Sequence, residues 1–218
     1  MNDVLDKNTA AAPIEFRSRM IDAAGAKVAV AEAGEGEVLV YLASAEDALA
    51  SLLARHNRVV AVAPDERLAN SAPSAKARRI ADIAAALGVD QYCLLAEGAD
   101  ALAALSLAAE KDTVLQRMVL VSPQAFGPGD VLDDPALAEL LPDVECDSLL
   151  LFGTDGGGAS SQTAAVHREK IPKSHLMYVF DAKDPARSRP EAAASVIGDF
   201  LRRGDGFLVS DEDGRLYP

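Results

Sequence analysis

Three polar side chains in this sequence could do chemistry, because each follows a short apolar run. Glu97 lies just beyond one run, and a carboxyl group buried in such surroundings has a raised pKa and can act as a general acid or base. Ser44 and Ser122 follow two other runs and could act as nucleophiles. The commoner roles are structural, since serine caps helices and Glu97 could simply point into a solvated cleft. Asp100 and Asp184 could join Glu97 in a carboxylate cluster.

The histidines and cysteines show no spacing that would form a metal or cofactor site. His56 precedes an apolar run, His167 lies in a segment with helical spacing and His175 begins another run. We therefore expect all three histidines at the surface. Cys93 lies inside an apolar run and Cys146 beside charged residues, which predicts neither a disulfide framework nor a thiolate metal site. The sequence predicts no metal and no cofactor.

Length, composition and charge limit the class of protein. At 218 residues, half of them hydrophobic, the chain is long enough for one globular domain. The net charge of −13 and the lack of a large basic cluster argue against a nucleic-acid or anionic-membrane partner. The chain starts without a signal-peptide pattern, and no apolar stretch reaches the roughly 18 residues of a membrane span. We expect a cytoplasmic protein.

Apolar runs alternate along the chain with segments of helical periodicity. Residues 15–20 and 27–32 predict an antiparallel hairpin. Six further runs predict buried strands at 38–42, 59–63, 92–95, 118–121, 149–152 and 176–180. Helical segments lie at 45–55, 74–87, 99–110, 160–171 and 190–203, with Ser74 and Gly88 as caps of the second. This order predicts an α/β fold with a doubly wound, mainly parallel sheet, helices on both faces and ligands at the carboxyl ends of the strands.

The stretch from Leu94 to Ala103 resembles the strand, nucleophile elbow and following helix of the α/β-hydrolase family. The family motif is G-x-S-x-G, with the nucleophilic serine on a strained turn between strand and helix. The matching residues here are Ala96, Glu97, Gly98, Ala99 and Asp100. Gly98 stands at the position of the nucleophile, where glycine can adopt the turn but has no side chain to attack a carbonyl.

The other catalytic positions of the family also differ in this chain. The resemblance places Asp155 or Gly156 at the position of the catalytic acid and Asp184 at that of the histidine. The loop that usually begins with His-Gly and forms the oxyanion hole reads Leu42-Ala43-Ser44 here. The glycine run 156–158 does not form a phosphate-binding motif, because it lacks the lysine and the serine or threonine of such a loop.

The resemblance extends from about residue 14 to residue 203. Ala63-Pro64-Asp65 is similar to the family's proline-aspartate loop, although Leu68 and Asn70 stand where glycines usually follow. The segment 123–147 is too short for the helical lid of many members, so we expect no cap domain. The predicted organisation is a flexible leader at 1–13, one α/β-hydrolase-like domain at 14–203 and an acidic, glycine-containing extension at 204–218.

These substitutions imply an α/β-hydrolase-fold pseudoenzyme that binds a small ligand or a protein partner through the former active-site cleft. The residues expected to form that cleft are Leu42, Ala43, Ser44, Glu97, Gly98, Ala99, Ser122 and Asp184. The alternative is an active esterase or related hydrolase that uses Ser44 or Ser122 as nucleophile or Glu97 as acid and base. A third hypothesis is a subunit of a larger assembly, docked through the acidic residues 211–213. The oligomeric state stays open.

Overall fold

The structure is a computed structural model that describes residues 14–63, 68, 70–110, 114–126, 132 and 134–208. Its strands are β1 (Arg17–Ala23), β2 (Ala26–Ala33), β3 (Val38–Tyr41), β4 (Arg58–Val62), β5 (Tyr92–Glu97), β6 (Leu115–Val121), β7 (Asp147–Gly153) and β8 (Ser174–Val179). They form one sheet in the order β1-β2-β4-β3-β5-β6-β7-β8, in which β1 and β2 are antiparallel to their neighbours and β3 to β8 are parallel. The predicted hairpin and the mainly parallel sheet are confirmed.

The hairpin closes through a two-residue turn formed by Ala24 and Gly25. Their φ values are 51° and 81°, and two consecutive positive values are typical of the turns whose twist matches that of paired strands. The Gly25 N–H also donates to Asp22 Oδ1 at 2.8 Å. The turn therefore fixes the register of β1 against β2.

Seven α-helices connect or flank the strands. They are α1 (Ala48–Leu53), α2 (Pro73–Leu87), α3 (Ala101–Ala108), α4 (Pro135–Leu140), α5 (Gly157–Lys170), α6 (Pro185–Ser188) and α7 (Pro190–Arg203) among the described residues. Ser74 was expected as the N-cap of α2, but Ala72 is the N-cap because Pro73 is already the first helical residue. Gly88 ends α2 at φ 65°, as predicted.

The short helices α4 and α6 were not predicted, although both carry a sequence signal. Each begins with an aspartate N-cap followed directly by proline, at Asp134-Pro135 and Asp184-Pro185. This pair satisfies free N–H groups and presets the first helical φ. Their apolar patterns are too short to show helical periodicity.

The two faces of the sheet support separate hydrophobic cores. Along each central strand successive side chains alternate between them, so that Leu94 packs with α2 and α3 while Leu95 packs with α1 and α7. Large residues such as Ile83 on α2 and Phe200 on α7 are almost fully buried. The central strands of the sheet therefore lie between two packed hydrophobic layers.

Three segments bear on the predicted boundaries. Between β6 and β7 the described residues form only the bridge from Phe126 to Leu132, α4 and a 3₁₀ turn, so no cap is evident. Residues 204–208, expected to begin an extension, form a 3₁₀ helix with Phe207 buried against Phe200. The predicted leader 1–13 and the docking residues 211–213 lie outside the described residues.

None of the described helices is both long and apolar enough to cross a membrane.

Candidate functional site

Gly98 lies at a sharp turn between β5 and α3. A 3₁₀ turn over Gly98–Asp100 leads directly into the helix, and the Gly98 φ is 53°. The Gly98 carbonyl accepts a hydrogen bond of 2.9 Å from the Gln124 N–H. A Cβ at this position would meet its nearest atom, Gln124 Cδ, only at 3.9 Å. The turn therefore has room for a side chain but a backbone that favours glycine.

Glu97 connects three elements at the carboxyl edge of the sheet. Its Oε1 accepts a hydrogen bond from the hydroxyl of the buried Tyr41, and its Oε2 lies 3.4 Å from Arg187 Nη1. The Glu97 side chain is only 15% exposed, and this burial raises the pKa of its carboxyl despite the opposing effects of Tyr41 and Arg187. Burial and the neighbouring carboxylate of Glu97 likewise raise the pKa of Tyr41.

Asp184, at the position matched to the family histidine, is the N-cap of α6. Its Oδ1 accepts from the Ala186 N–H at 3.1 Å and the Arg187 N–H at 3.4 Å. Its Oδ2 pairs with Arg187 Nη1 at 2.5 Å. The structure thus connects Tyr41, Glu97, Arg187 and Asp184 in one chain of polar contacts.

These residues border a cleft of about 590 Å³ at the carboxyl ends of the strands. Its lining includes all of the expected cleft residues except Ala99, which is exposed on the 3₁₀ turn. The further lining residues are Glu46, Asp47, Asp100, Val121, Gln124 and Arg187. Glu97, Asp100 and Asp184 therefore do share one cleft.

The cleft has a negative electrostatic character. Five carboxylates line it, from Glu46, Asp47, Glu97, Asp100 and Asp184, against the single guanidinium of Arg187 among the described lining residues. Burial raises the pKa of Asp100. This excess of negative charge disfavours anionic ligands. No group of three or more metal-ligating side chains suited to a metal ion occurs within the described part of the chain.

The pKa direction of Glu97 predicts how stability depends on pH. The pKa of Glu97 in the folded state lies above the unfolded value of 4.5, so the folded protein binds more protons than the unfolded chain at pH values between the two. The folded protein therefore loses stability as the pH rises from 4.5 through the folded-state pKa. Glu97→Gln removes this loss. We therefore expect the free energy of unfolding of Glu97→Gln, relative to the native chain, to increase between about pH 4 and about pH 8 in urea titrations.

The control is Glu169→Gln, which alters an exposed carboxylate on α5. The difference in free energy of unfolding between Glu169→Gln and the native chain should change less over the same pH range. A free energy of unfolding of Glu97→Gln that falls with pH relative to the native chain would contradict the raised pKa of Glu97.

Comparisons with known proteins support the fold. No protein-family model matches the chain, and no curated protein does. A serine hydrolase involved in carbazole degradation matches with a TM-score of 0.71 at 15% identity, over 86% of this chain and 99% of the other. A Bacillus subtilis carboxylesterase, CesB, matches with a TM-score of 0.70 at 15% identity, over 87% and 92%. This chain has the α/β-hydrolase fold.

The residues after β3 are those that the sequence resemblance matched to the oxyanion loop of the α/β-hydrolase family. The Leu42 N–H donates to Leu95 O at 3.0 Å and the Ala43 N–H to Tyr41 O at 2.9 Å. Ser44 is exposed, and its Oγ accepts from the Glu46 N–H at 3.3 Å. The Leu42 and Ala43 N–H groups are thus already engaged within the protein, and Ser44 lines the cleft while its Oγ accepts within the turn.

Two other predicted positions differ in their relation to the cleft. Ser122 lies in the cleft wall at the end of β6 with a φ of 45°, which is unusual for a residue other than glycine. Asp155 is exposed outside the cleft lining, and its N–H donates to Ala182 O at 2.9 Å. Gly156 follows it in the same 3₁₀ turn. Pro64 and Asp65 lie outside the described residues.

The prediction that all three histidines lie at the surface is correct for one of them and wrong for His167. His56 is exposed, as expected, but His167 is fully buried and His175 is partly buried against Phe200 and Phe207. A histidine side chain is polar and is therefore expected at the surface, but the position of His167 on α5 turns it towards the core. Ala164, His167 and Ile171 have the i, i+3, i+7 spacing of a buried helix face, and this signal could have identified the buried side chain.

Proposed function

We propose that this α/β-hydrolase-fold protein binds a small ligand in the cleft beside Gly98 and does not catalyse serine hydrolysis. The observation that carries the proposal is Gly98 itself, which has the positive φ of a nucleophile elbow and no nucleophilic group. Serine hydrolysis also needs a base that takes the proton of the nucleophile. Asp184, at the position matched to that base, is an N-cap paired with Arg187.

The shape of the cleft favours a small molecule over a protein partner. Its volume of about 590 Å³ is typical of small-molecule sites, which range over roughly 300–1,000 Å³. The lining combines apolar atoms of Leu42, Ala43 and Val121 with the polar groups of Glu97 and Gln124. Such a lining can enclose an apolar body and orient it through a few hydrogen bonds.

An assay with short nitrophenyl esters and a fluorophosphonate probe tests the chemical half of the proposal. We expect neither turnover nor covalent labelling of the native chain. Gly98→Ser is the informative variant, because its side chain has space but no base beside it in the matched position. It should also remain unlabelled, and mass spectrometry after probe treatment provides the measurement.

The second candidate function is catalysis with displaced groups. The observation in its favour is the buried carboxyl of Glu97 in the cleft, whose pKa is raised. Ester turnover by the native chain that disappears in Glu97→Gln, Ser122→Gly or Ser44→Ala would replace the binding proposal with this one. Turnover by the purified chain that survives all three changes would also contradict the proposal and would place the catalytic group outside these three residues.

Ligand occupancy is measured separately by NMR with a fragment library of neutral and cationic compounds. We expect chemical-shift changes confined to the amides of Gly98, Ser122 and Gln124 and to the Arg187 side chain. Shifts confined to another surface would place the binding site elsewhere.

A further inference from the structure

One wall of the cleft is a short segment, residues 122–126, that we call the wall segment. The Ser122 N–H donates to Leu151 O on β7 at 2.8 Å, and the Gln124 N–H donates to Gly98 O at 2.9 Å. Both contacts join the backbone of the wall segment to backbone carbonyls that do not titrate. They fix the part of the wall that faces the cleft.

The next contact of the wall segment is made by a titratable side chain. The Ala125 N–H donates to His167 Nε2 at 3.3 Å, and His167 Nδ1 lies 2.8 Å from Thr163 O. A carbonyl can only accept, and a backbone N–H can only donate, so the ring is neutral with its proton on Nδ1. Nε2 is therefore the acceptor that holds Ala125.

Among the described residues, apolar aromatic side chains contact the ring. His167 has no exposed surface, and it contacts the rings of Phe126 and Phe152 edge to face at centroid distances of 4.8 Å and 5.8 Å. Burial lowers the pKa of His167, while the carbonyl of Thr163 opposes this effect. A protonated ring would carry a buried charge and would have no acceptor left for the Ala125 N–H.

We propose that His167 is a proton-sensitive latch, which holds the wall segment closed in its neutral form and releases it on protonation. Protonation of Nε2 turns an acceptor into a donor that faces the Ala125 N–H, and both groups cannot remain in place. The wall segment then comes free at Ala125, next to the cleft residue Gln124, while the Ser122 and Gln124 N–H groups keep their contacts with Leu151 O and Gly98 O.

The direction of the pH dependence follows from the depressed pKa. The His167 ring is neutral and holds Ala125 above the usual histidine pKa of 6.5. The contact is lost as the pH falls through the lower folded-state pKa of His167. Among the described residues, Phe126, Phe152 and Thr163 contact the ring, and none of the three titrates. The carboxyls of Glu97 and Asp100, whose pKa values are raised, line the same cleft and can take up protons in acid.

The test is an NMR titration of the native chain from about pH 8 to about pH 5, which follows the three histidine rings and the backbone amides. We expect the Ala125 amide resonance to shift with the same midpoint as the His167 ring and below pH 6.5. Hydrogen-exchange protection at Ala125, corrected for the intrinsic rate, should fall by about tenfold or more.

His167→Gln is the matched variant, because its amide oxygen can accept from the Ala125 N–H without titrating. Its Ala125 and Gln124 amides should resemble those of the native chain at pH 8 and should not respond to acid. Glu97→Gln and Asp100→Asn should leave the native titration at Ala125 intact.

Two outcomes overturn the latch: a His167 ring that titrates while the Ala125 amide stays unchanged, or an acid response that persists in His167→Gln. The inference concerns the cleft of the proposed function but is measured without a ligand. A failed latch therefore leaves ligand binding open, and an unoccupied cleft leaves the latch open.

Discussion

Gly153→Ala should destabilise the protein by roughly 3 kcal/mol or more and lower the melting temperature by roughly 6–12 °C. A Cβ at Gly153 would lie 2.1 Å from the carbonyl oxygen of Ala182 and 2.8 Å from its carbonyl carbon. Backbone atoms cannot rotate away as a side chain can. The end of β7 and the loop that contains Ala182 must therefore move apart, and calorimetry measures the cost.

The close contact between Gly153 and the backbone of Ala182 also positions one side of the cleft. The Ala182 loop leads directly into the N-cap Asp184 and then into α6, which carries Arg187 to the cleft. We expect Gly153→Ala to perturb the Asp184 and Arg187 resonances in addition to lowering stability.

Gly198→Ala is the matched control for this substitution. Gly198 lies inside α7, and a Cβ there would have no heavy atom within 4 Å apart from its chain neighbours and the backbone of its own helix. Alanine should stabilise the helix by about 0.5–1 kcal/mol because it loses less conformational freedom on folding. Equal effects of the two substitutions would show that the close contact at Gly153 does not exist in solution.

Phe200→Ala should cost about 3–5 kcal/mol of folding free energy. Phe200 on α7 is fully buried and packs edge to face against Phe207 at a centroid distance of 5.4 Å. The substitution leaves a cavity between α7 and the sheet and removes an aromatic partner of Phe207. Urea denaturation monitored by circular dichroism gives the loss in free energy.

The chain provides a control of the same chemistry in Phe180, which is 74% exposed just after β8. Phe180→Ala should change stability by less than about 0.5 kcal/mol. Phe207→Ala should be intermediate, because Phe207 is buried but belongs to the short 3₁₀ helix at the domain edge. A Phe207→Ala variant as stable as the native chain would mean that this segment does not contribute to the core.

The strands and long helices were predictable because their signals are local. A buried parallel strand is a continuous apolar run, and an amphipathic helix repeats its apolar face every 3.6 residues. The largest differences occur at short elements. The helix predicted at 45–55 is observed only at Ala48–Leu53, where Asp47 caps it, while α4 and α6 depend on capping rather than on periodicity.

The candidate site was predictable where the fold alone places residues. Ser44, Glu97 and Ser122 each follow a strand, and the carboxyl ends of parallel strands meet at one edge of the sheet. Arg187 was missed, because it reaches Glu97 across 90 positions of sequence from a helix too short to be recognised. Tyr41 was missed for a related reason, since its strand pattern indicates burial and not the partner of its hydroxyl.

By itself, the sequence determined the α/β class, the alternation of strands and helices and the presence of glycine at position 98. Those properties depend on residue type and on spacing along the chain. Only the tertiary structure decided that Glu97 is bound between Tyr41 and Arg187, that Asp184 serves as a cap and that His167 is buried against the cleft wall. Hydrogen bonds and burial depend on atoms that folding brings together from distant segments, and no local pattern encodes those distances.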